Sequence, residues 1–292
     1  MKRGEGQQRL QAATEGVSAS RRGAGWPAPP LAHHITMRLA FDRAIARTPA
    51  ELRLAARVVL QHGRTRSLLG FRVADTHLHA VVAGSRELAG SFAQLAETSL
   101  RKRLRLPVPF ERARIRAIES QRHLQNTLRY VFRQEEHHGT AFDLAHDGSS
   151  LPELLGLRQL DRSIAERVQR QLPRLTRSTL LDWLGAGDLE HAPSDPHVYW
   201  EATAAALGLS SFVGTSRTHQ AARRAAAHLL VPSCGAATVA EVLGISQRSL
   251  RRYRGQPVEP ALLRAIDQQA RLRSALGQRA SALGDDGPLD RS

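Results

Sequence analysis

Two hydrophobic periods alternate along the first half of the chain. Where every second residue is apolar a strand is expected, and where apolar residues recur three and four positions apart a helix is expected. On that basis residues 33–40 (HHITMRLA) form a first strand. Thr48-Pro49-Ala50-Glu51 has the form of a capping box with proline at the first helical position, opening a helix to about residue 62 with Leu52, Ala55, Val59 and Leu60 on one face. Residues 66–74 and 77–83 pair as strands across Asp75-Thr76. Ser85 caps a second helix over residues 86–105, with Leu88, Phe92 and Leu95 inward, and Pro107 and Pro109 stop it. Residues 112–118 read as a fourth strand, and Ser120 caps a third helix running to about residue 138. The order strand–helix–strand–strand–helix–strand predicts an α+β fold, a ferredoxin-like sandwich with helices on one face of an antiparallel sheet.

The third helix is unusual in where its aromatic residue lies. Leu124, Leu128, Val131 and Phe132 share one face, while Tyr130 sits about 140° and Gln134 about 100° from its centre at 100° per residue. An aromatic kept for packing belongs on the core face. After Gly139 the character changes: residues 140–150 read as a polar link, mostly helical sequence follows to Gly185, and Gly185–Pro196 reads as a loop before further helices. Residues 141–230 form a helical linker region, and residues 231–283 carry a helix-turn-helix: Ala240 in the first helix, Gly244 at the turn and Leu250 buried in the second, with Val239, Leu243 and Ile245 completing the apolar set. Its second helix, capped by Ser246, presents Gln247, Arg248, Ser249, Arg251 and Arg252, among which Gln and Arg read base edges.

Composition adds a partner. The formal net charge is +15, and only two of the 42 basic residues are lysines. Such a chain attracts polyphosphate, although GC-rich coding alone also raises arginine. The basic last turn of the second helix, with Arg101 and Arg103, is a further candidate for phosphate contact. One cysteine, Cys234, excludes an internal disulfide and a multi-cysteine zinc site. Residues 1–30 read as a flexible basic tail without the apolar core of a signal peptide, and 284–292 as a fraying end. No apolar run suits a membrane span. A cytoplasmic, nucleoid-associated protein is expected.

His77-Leu78-His79 is the remaining motif. On a strand its two imidazoles share a face, which aims them at one metal ion. With 13 histidines in the chain, the spacing alone says little. His33 and His34 are read as structural, and His137 as a solvated neighbour of Tyr130.

Taken together, HHITMR near the start, His77-Leu78-His79 after a hydrophobic strand, and Tyr130-Val131-Phe132-Arg133-Gln134 resemble the single-tyrosine HUH transposases, most closely the REP-associated tyrosine transposases. The resemblance covers about residues 27–140, so that 31–140 would be the nuclease domain. It implies that His77, His79 and Gln134 hold Mg²⁺ or Mn²⁺, and that Tyr130 attacks a phosphodiester of single-stranded or hairpin DNA to leave a 5′-phosphotyrosine and a free 3′-hydroxyl. It also implies a monomer or homodimer. Two other readings stand beside it: a DNA-binding regulator that keeps the fold without catalysis, and a metal hydrolase of small substrates.

Overall fold

The computed structural model describes residues 29–134, 146–183 and 195–284. Four strands, β1 (Ala32–Arg38), β2 (Leu68–Ala74), β3 (His77–Ala83) and β4 (Arg114–Ile118), form one sheet in the order β2-β3-β1-β4, with every neighbouring pair antiparallel. Between them run α1 (Pro49–Gly63) and α2 (Arg86–Leu104), and α3 (Gln121–Phe132) follows β4. The architecture is α+β.

Local chemistry starts each element where the polar residues predict. Thr48 and Glu51 form the reciprocal capping box of α1. Ser85 accepts from the Leu88 amide to open α2, and Ser120 from the His123 amide to open α3. The β2–β3 turn uses Asp75 at φ 41°, a left-handed conformation that aspartate tolerates. Two backbone bonds fasten that turn: the Leu39 amide donates to Thr76 at 2.9 Å and the Ile45 amide to Asp75 at 2.8 Å.

The alternation along each strand divides the sheet into two faces. Ile35, Met37, Phe71, Val73, Leu78, Ala80 and Val82 pack against α1 and α2 through Ala55, Val59, Phe92 and Ala96. Ala32, Val81, Ala83, Ile118 and, after a bulge between Leu68 and Gly70, Leu69 point the other way, onto Leu124, Leu128, Val131 and Phe132 of α3. The first two helices therefore share one face, as the element order suggested, and α3, which follows β4, covers the other. The apolar stripe of α3 meets apolar residues on the second face, and periodicity alone does not say which face a helix will choose. Gly70 permits the close approach, since a Cβ there would lie 2.8 Å from Leu128 and 3.1 Å from Phe132.

The rest of the described chain is helical: α4 (Leu151–Leu154), α5 (Ser163–Gln171), α6 (Arg177–Trp183), α7 (Pro196–Leu207), α8 (Arg217–Cys234), α9 (Ala236–Val242), α10 (Gln247–Arg254) and α11 (Pro260–Gly284). Among the described residues no helix is long and apolar enough to cross a membrane. The boundary expected at residue 230 falls inside α8, which packs on α7 and α11 through Ala225 and on α9 and α10 through Leu230.

Residues 147–150 join this region to the sheet by running along the outer edge of β2. The Val73 amide donates to Gly148 at 2.9 Å, and the Ser150 amide to Phe71 at 3.0 Å, so part of an otherwise open edge is paired. Buried charges hold the segment in place. Arg53 of α1 contacts Asp147 and Glu201 of α7, each at 2.9 Å, and Arg273 of α11 reaches Asp147 at 2.7 Å. Arg158, fully buried, donates to the Asp147 carbonyl at 2.6 Å and to Glu153 at 2.7 Å. Removing one partner of a buried ion pair leaves the other without compensation, at a cost of about 3–5 kcal/mol. Glu153→Ala is therefore expected to lower the unfolding free energy by about that amount, with Glu153→Gln losing less, as read from urea denaturation midpoints.

Candidate active site

The second face of the sheet changes character along its strands. At one end Ala32, Val81, Ala83 and Ile118 are covered by α3. At the other, the residues in the same alternation are polar: His77 and His79 on β3, His34, Thr36 and Arg38 on β1, and Arg114 and Arg116 on β4. The pairing register sets His79 and Arg114 on either side of Thr36, His77 beside Arg38, and Arg116 beside His34. Because α3 covers only the apolar end, the polar end is open.

Tyr130 stands at the boundary. Its neighbours Val131 and Phe132 are buried, whereas Tyr130 is 41% exposed. Its ring meets the sheet histidines edge-on, with centroids 5.5 Å from His79 and 6.0 Å from His34. The His77 and His79 rings are 4.7 Å apart. A cleft of about 470 Å³ is lined by His34, Thr36, His79, Arg114, Arg116, Asn126, Thr127 and Tyr130. An adjoining hollow, sharing Thr36, His79, Arg114 and Tyr130, adds His77, Arg38, Glu111 and Arg112. Tyr130, His77 and His79 are thus brought to one groove.

His34 belongs to the groove, although the sequence suggested a structural role. Its Nε2 lies 3.0 Å from His79 Nδ1, and the Thr36 hydroxyl is 3.3 Å from that same nitrogen. The two imidazoles stack with centroids 5.1 Å apart. Burial, helped by the positive charges of Arg116 and His123, pushes the His34 pKa down to about 4, so the ring is neutral at physiological pH. His33 points to the other face and lies 3.0 Å from the Gly84 carbonyl, a structural contact.

Gln134 is placed differently from the other candidates. The helix ends at Arg133, whose φ of −107° and ψ of 30° are not helical, so the 100° rule stops before Gln134. Its side chain is buried, donates to the Tyr130 carbonyl at 3.1 Å, and is not among the described residues lining the groove. His137 lies outside the described residues. Among the described residues no group of three or more His, Cys, Asp or Glu is arranged to hold a metal ion. What the groove offers is two imidazoles from alternate strand positions. That set suits a loosely held divalent ion whose remaining ligands are substrate oxygens and water better than a permanently caged one.

The other candidates lie elsewhere. Arg101 and Arg103 are exposed on α2, which packs on the opposite face of the sheet, so they do not reach the groove. In α10, capped by Ser246, Gln247, Arg248, Arg251 and Arg252 are exposed while Leu250 and Tyr253 turn inward. Ser249 is half-buried, 3.1 Å from the Ser246 hydroxyl. Gly244 takes φ 60° in the turn before α10, a conformation that favours glycine. The arginines that do line the groove, Arg112, Arg114 and Arg116, went unnoticed as a site. Their period-two spacing within a predicted strand was the available signal.

No family model matches this chain, and no curated protein matches it. Among solved structures, a REP-associated tyrosine transposase bound to a REP hairpin aligns with 47% of this chain and 87% of its own, at 16% identity and a TM-score of 0.37. A likeness of that size does not show membership of a family.

The lowered pKa of His34 has a consequence for stability. The folded chain binds this proton less readily than the unfolded chain, whose histidine titrates near 6.5. The contribution is therefore complete above about pH 6.5, falls as pH drops toward 4, and is flat below that. At pH 5 the linked loss is on the order of 2 kcal/mol. Urea midpoints at pH 7 and pH 5 should separate further for the wild type than for His34→Asn. Equal separation in the two chains would show that His34 does not titrate this way.

Proposed function

We propose that the chain is a single-strand DNA endonuclease and strand-transferase, built on a ferredoxin-like sheet, in which Tyr130 is the nucleophile. The observation that carries this reading is the position of Tyr130: 41% exposed beside the buried Val131 and Phe132, with its ring against the sheet imidazoles of an open, arginine-lined groove. Packing gives no reason to hold an aromatic there. Nucleophilic attack on a bound phosphodiester does.

In this mechanism the Tyr130 hydroxyl oxygen bonds to phosphorus as the bond from phosphorus to the 3′-oxygen breaks. The phenolic proton passes to water in the open groove, and the departing oxygen takes up a proton to become a 3′-hydroxyl. The new 5′-phosphotyrosine conserves the phosphodiester linkage, so another 3′-hydroxyl can attack it and reverse the step. Arg114 and Arg116 offset the charge that builds on the phosphate oxygens. His34 and Thr36 hold the His79 ring in orientation through Nδ1. His77 and His79 would hold Mg²⁺ or Mn²⁺, which supplies charge withdrawal from the scissile phosphate. To join them, Gln134 would have to give up its bond to the Tyr130 carbonyl. A helix-turn-helix formed by α9 and α10 would select the DNA site through Gln247, Arg248, Ser249, Arg251 and Arg252.

Those exposed arginines of α10 also favour a second reading, a DNA-binding regulator without catalysis. The experiment is incubation of the full chain with hairpin-bearing single-stranded DNA and Mn²⁺ or Mg²⁺, resolved on denaturing gels. Cleavage is expected to need the divalent ion, to disappear in Tyr130→Phe, and to fall at least 100-fold in His77→Ala or His79→Ala, in keeping with the loss of a principal charge-stabilising group. Cutting by Tyr130→Phe at the wild-type rate would defeat the mechanism. Tight binding without any cutting would favour the regulator.

A further inference from the structure

The edge strand β4 and the segment leading into it carry an arrangement that the nucleophile and the imidazoles do not account for. Arg112, Arg114 and Arg116 recur at every second residue, all three are exposed, and all line the groove or its adjoining hollow. Arg114 and Arg116, two apart on the strand, are separated by about 6.6–6.8 Å and share one face, and Arg112 lies two residues before the strand begins. Arg38, on β1, adds another to the same hollow, although it is paired with Asp42. Among the described residues, Arg112, Arg114 and Arg116 form no ion pair and no side-chain hydrogen bond. Among the described residues lining the hollow, Glu111 is the one carboxylate. A row of unneutralised guanidiniums along a concave surface attracts a linear polyanion.

The opposite wall restricts which polyanion fits. It is formed by Asn126, Thr127 and Tyr130 of α3, which rise over the sheet and bring amide and hydroxyl groups rather than charge. A cleft of about 470 Å³ is of a size to take a nucleotide unit. With a helix on one side, one strand can lie along the sheet, and a paired second strand would meet α3. Guanidinium binds phosphate oxygens bidentately and keeps its charge at every accessible pH.

We propose that Arg114 and Arg116 hold two successive backbone phosphates of a single DNA strand laid along β4, with Arg112 extending the track past His77. The proposal rests on the groove being a nucleic-acid site but not on Tyr130 being reactive. The track fixes the strand's register. It carries no sequence preference, which is left to other surfaces of the chain.

The test is fluorescence anisotropy of a labelled oligo-dT with the full chain, in EDTA so that no cutting interferes, titrated between 50 and 300 mM salt. Each phosphate released from a single strand contributes about 0.7 to the slope of log K against log salt, so Arg114→Gln/Arg116→Gln should reduce the slope by about 1.4 and weaken binding about tenfold or more. Arg43→Gln/Arg47→Gln, which removes the same charge from an exposed segment outside the groove, should leave the slope within about 0.3 of wild type. Matching circular dichroism melts would establish that the variants fold. An unchanged slope in the β4 variant, or an equal change in the control, overturns the track. Undiminished formation of a Tyr130 adduct by Arg114→Gln/Arg116→Gln would also overturn it, together with the charge-offsetting role of these two arginines, while leaving Tyr130 standing as the nucleophile. Conversely, a wild-type chain that shows the arginine-dependent slope but never forms an adduct keeps the track and removes the chemistry.

Discussion

Everything at the groove depends on how far α3 reaches across the sheet. On the sheet, Leu124, Leu128, Val131 and Phe132 find apolar partners on the half of the face formed by Ala32, Leu69, Val81, Ala83 and Ile118, and Leu151, Leu155 and Val168 of the helical region complete the same core. Each of these side chains is nearly or fully buried, and burying one is worth about 1.5–3 kcal/mol, so the helix is held firmly to that half. The other half, with His34, Thr36, His77, His79, Arg114 and Arg116, has nothing apolar to offer. The helix therefore stops short, and its exposed Tyr130 overhangs the boundary. A single hydrophobic match thus creates the open groove and supplies its phenol.

Much of this was readable from residues alone. The capping serines and the Thr48–Glu51 box act locally, through backbone amides three residues away, so α1, α2, α3 and α10 start where their polar residues predict. The shared face of His77 and His79 follows from strand alternation and needs no knowledge of the fold. What was not readable depends on pairing. His34 enters the groove because β1 lies beside β3 in a register that sets Thr36 against His79, and no local signal specifies that. The choice of sheet face by α3 depends on which side holds matching apolar residues. Gln134 escapes the helical wheel because Arg133 leaves helical geometry one residue earlier. The arginines of β4 were visible as a spacing, but an alternating charged strand looks the same whether it faces solvent or a groove.

The helical region is tied to the sheet by apolar packing and by buried charge together: Leu151, Leu155, Val168 and Leu180 share the core of Leu69, Val81 and α3, and Ile164 joins the core on the other face. Asp147 receives Arg53 from α1 and Arg273 from α11, and Arg158 with Glu153 secures the segment that pairs with β2. Ion pairs of this kind add little net stability compared with apolar packing, but they require specific partners and geometry. Here they fix one docking of the helices on the outer edge of β2. The groove lies toward the opposite edge, at β4, and among the described residues none of these helices lines it. The exposed arginines of α10 and the arginine row of β4 are then separate basic surfaces on one chain.

The central claim, that Tyr130 is a nucleophile toward a DNA phosphodiester, is tested most directly by finding where DNA becomes attached. The chain has three tyrosines, Tyr130, Tyr199 and Tyr253. After reaction with hairpin-bearing single-stranded DNA and Mn²⁺, nuclease trimming and proteolysis, mass spectrometry of the nucleotide-modified peptides should place the added mass on Tyr130 alone. Attachment at Tyr199 or Tyr253, or cleaved DNA with no modified peptide, would contradict the account.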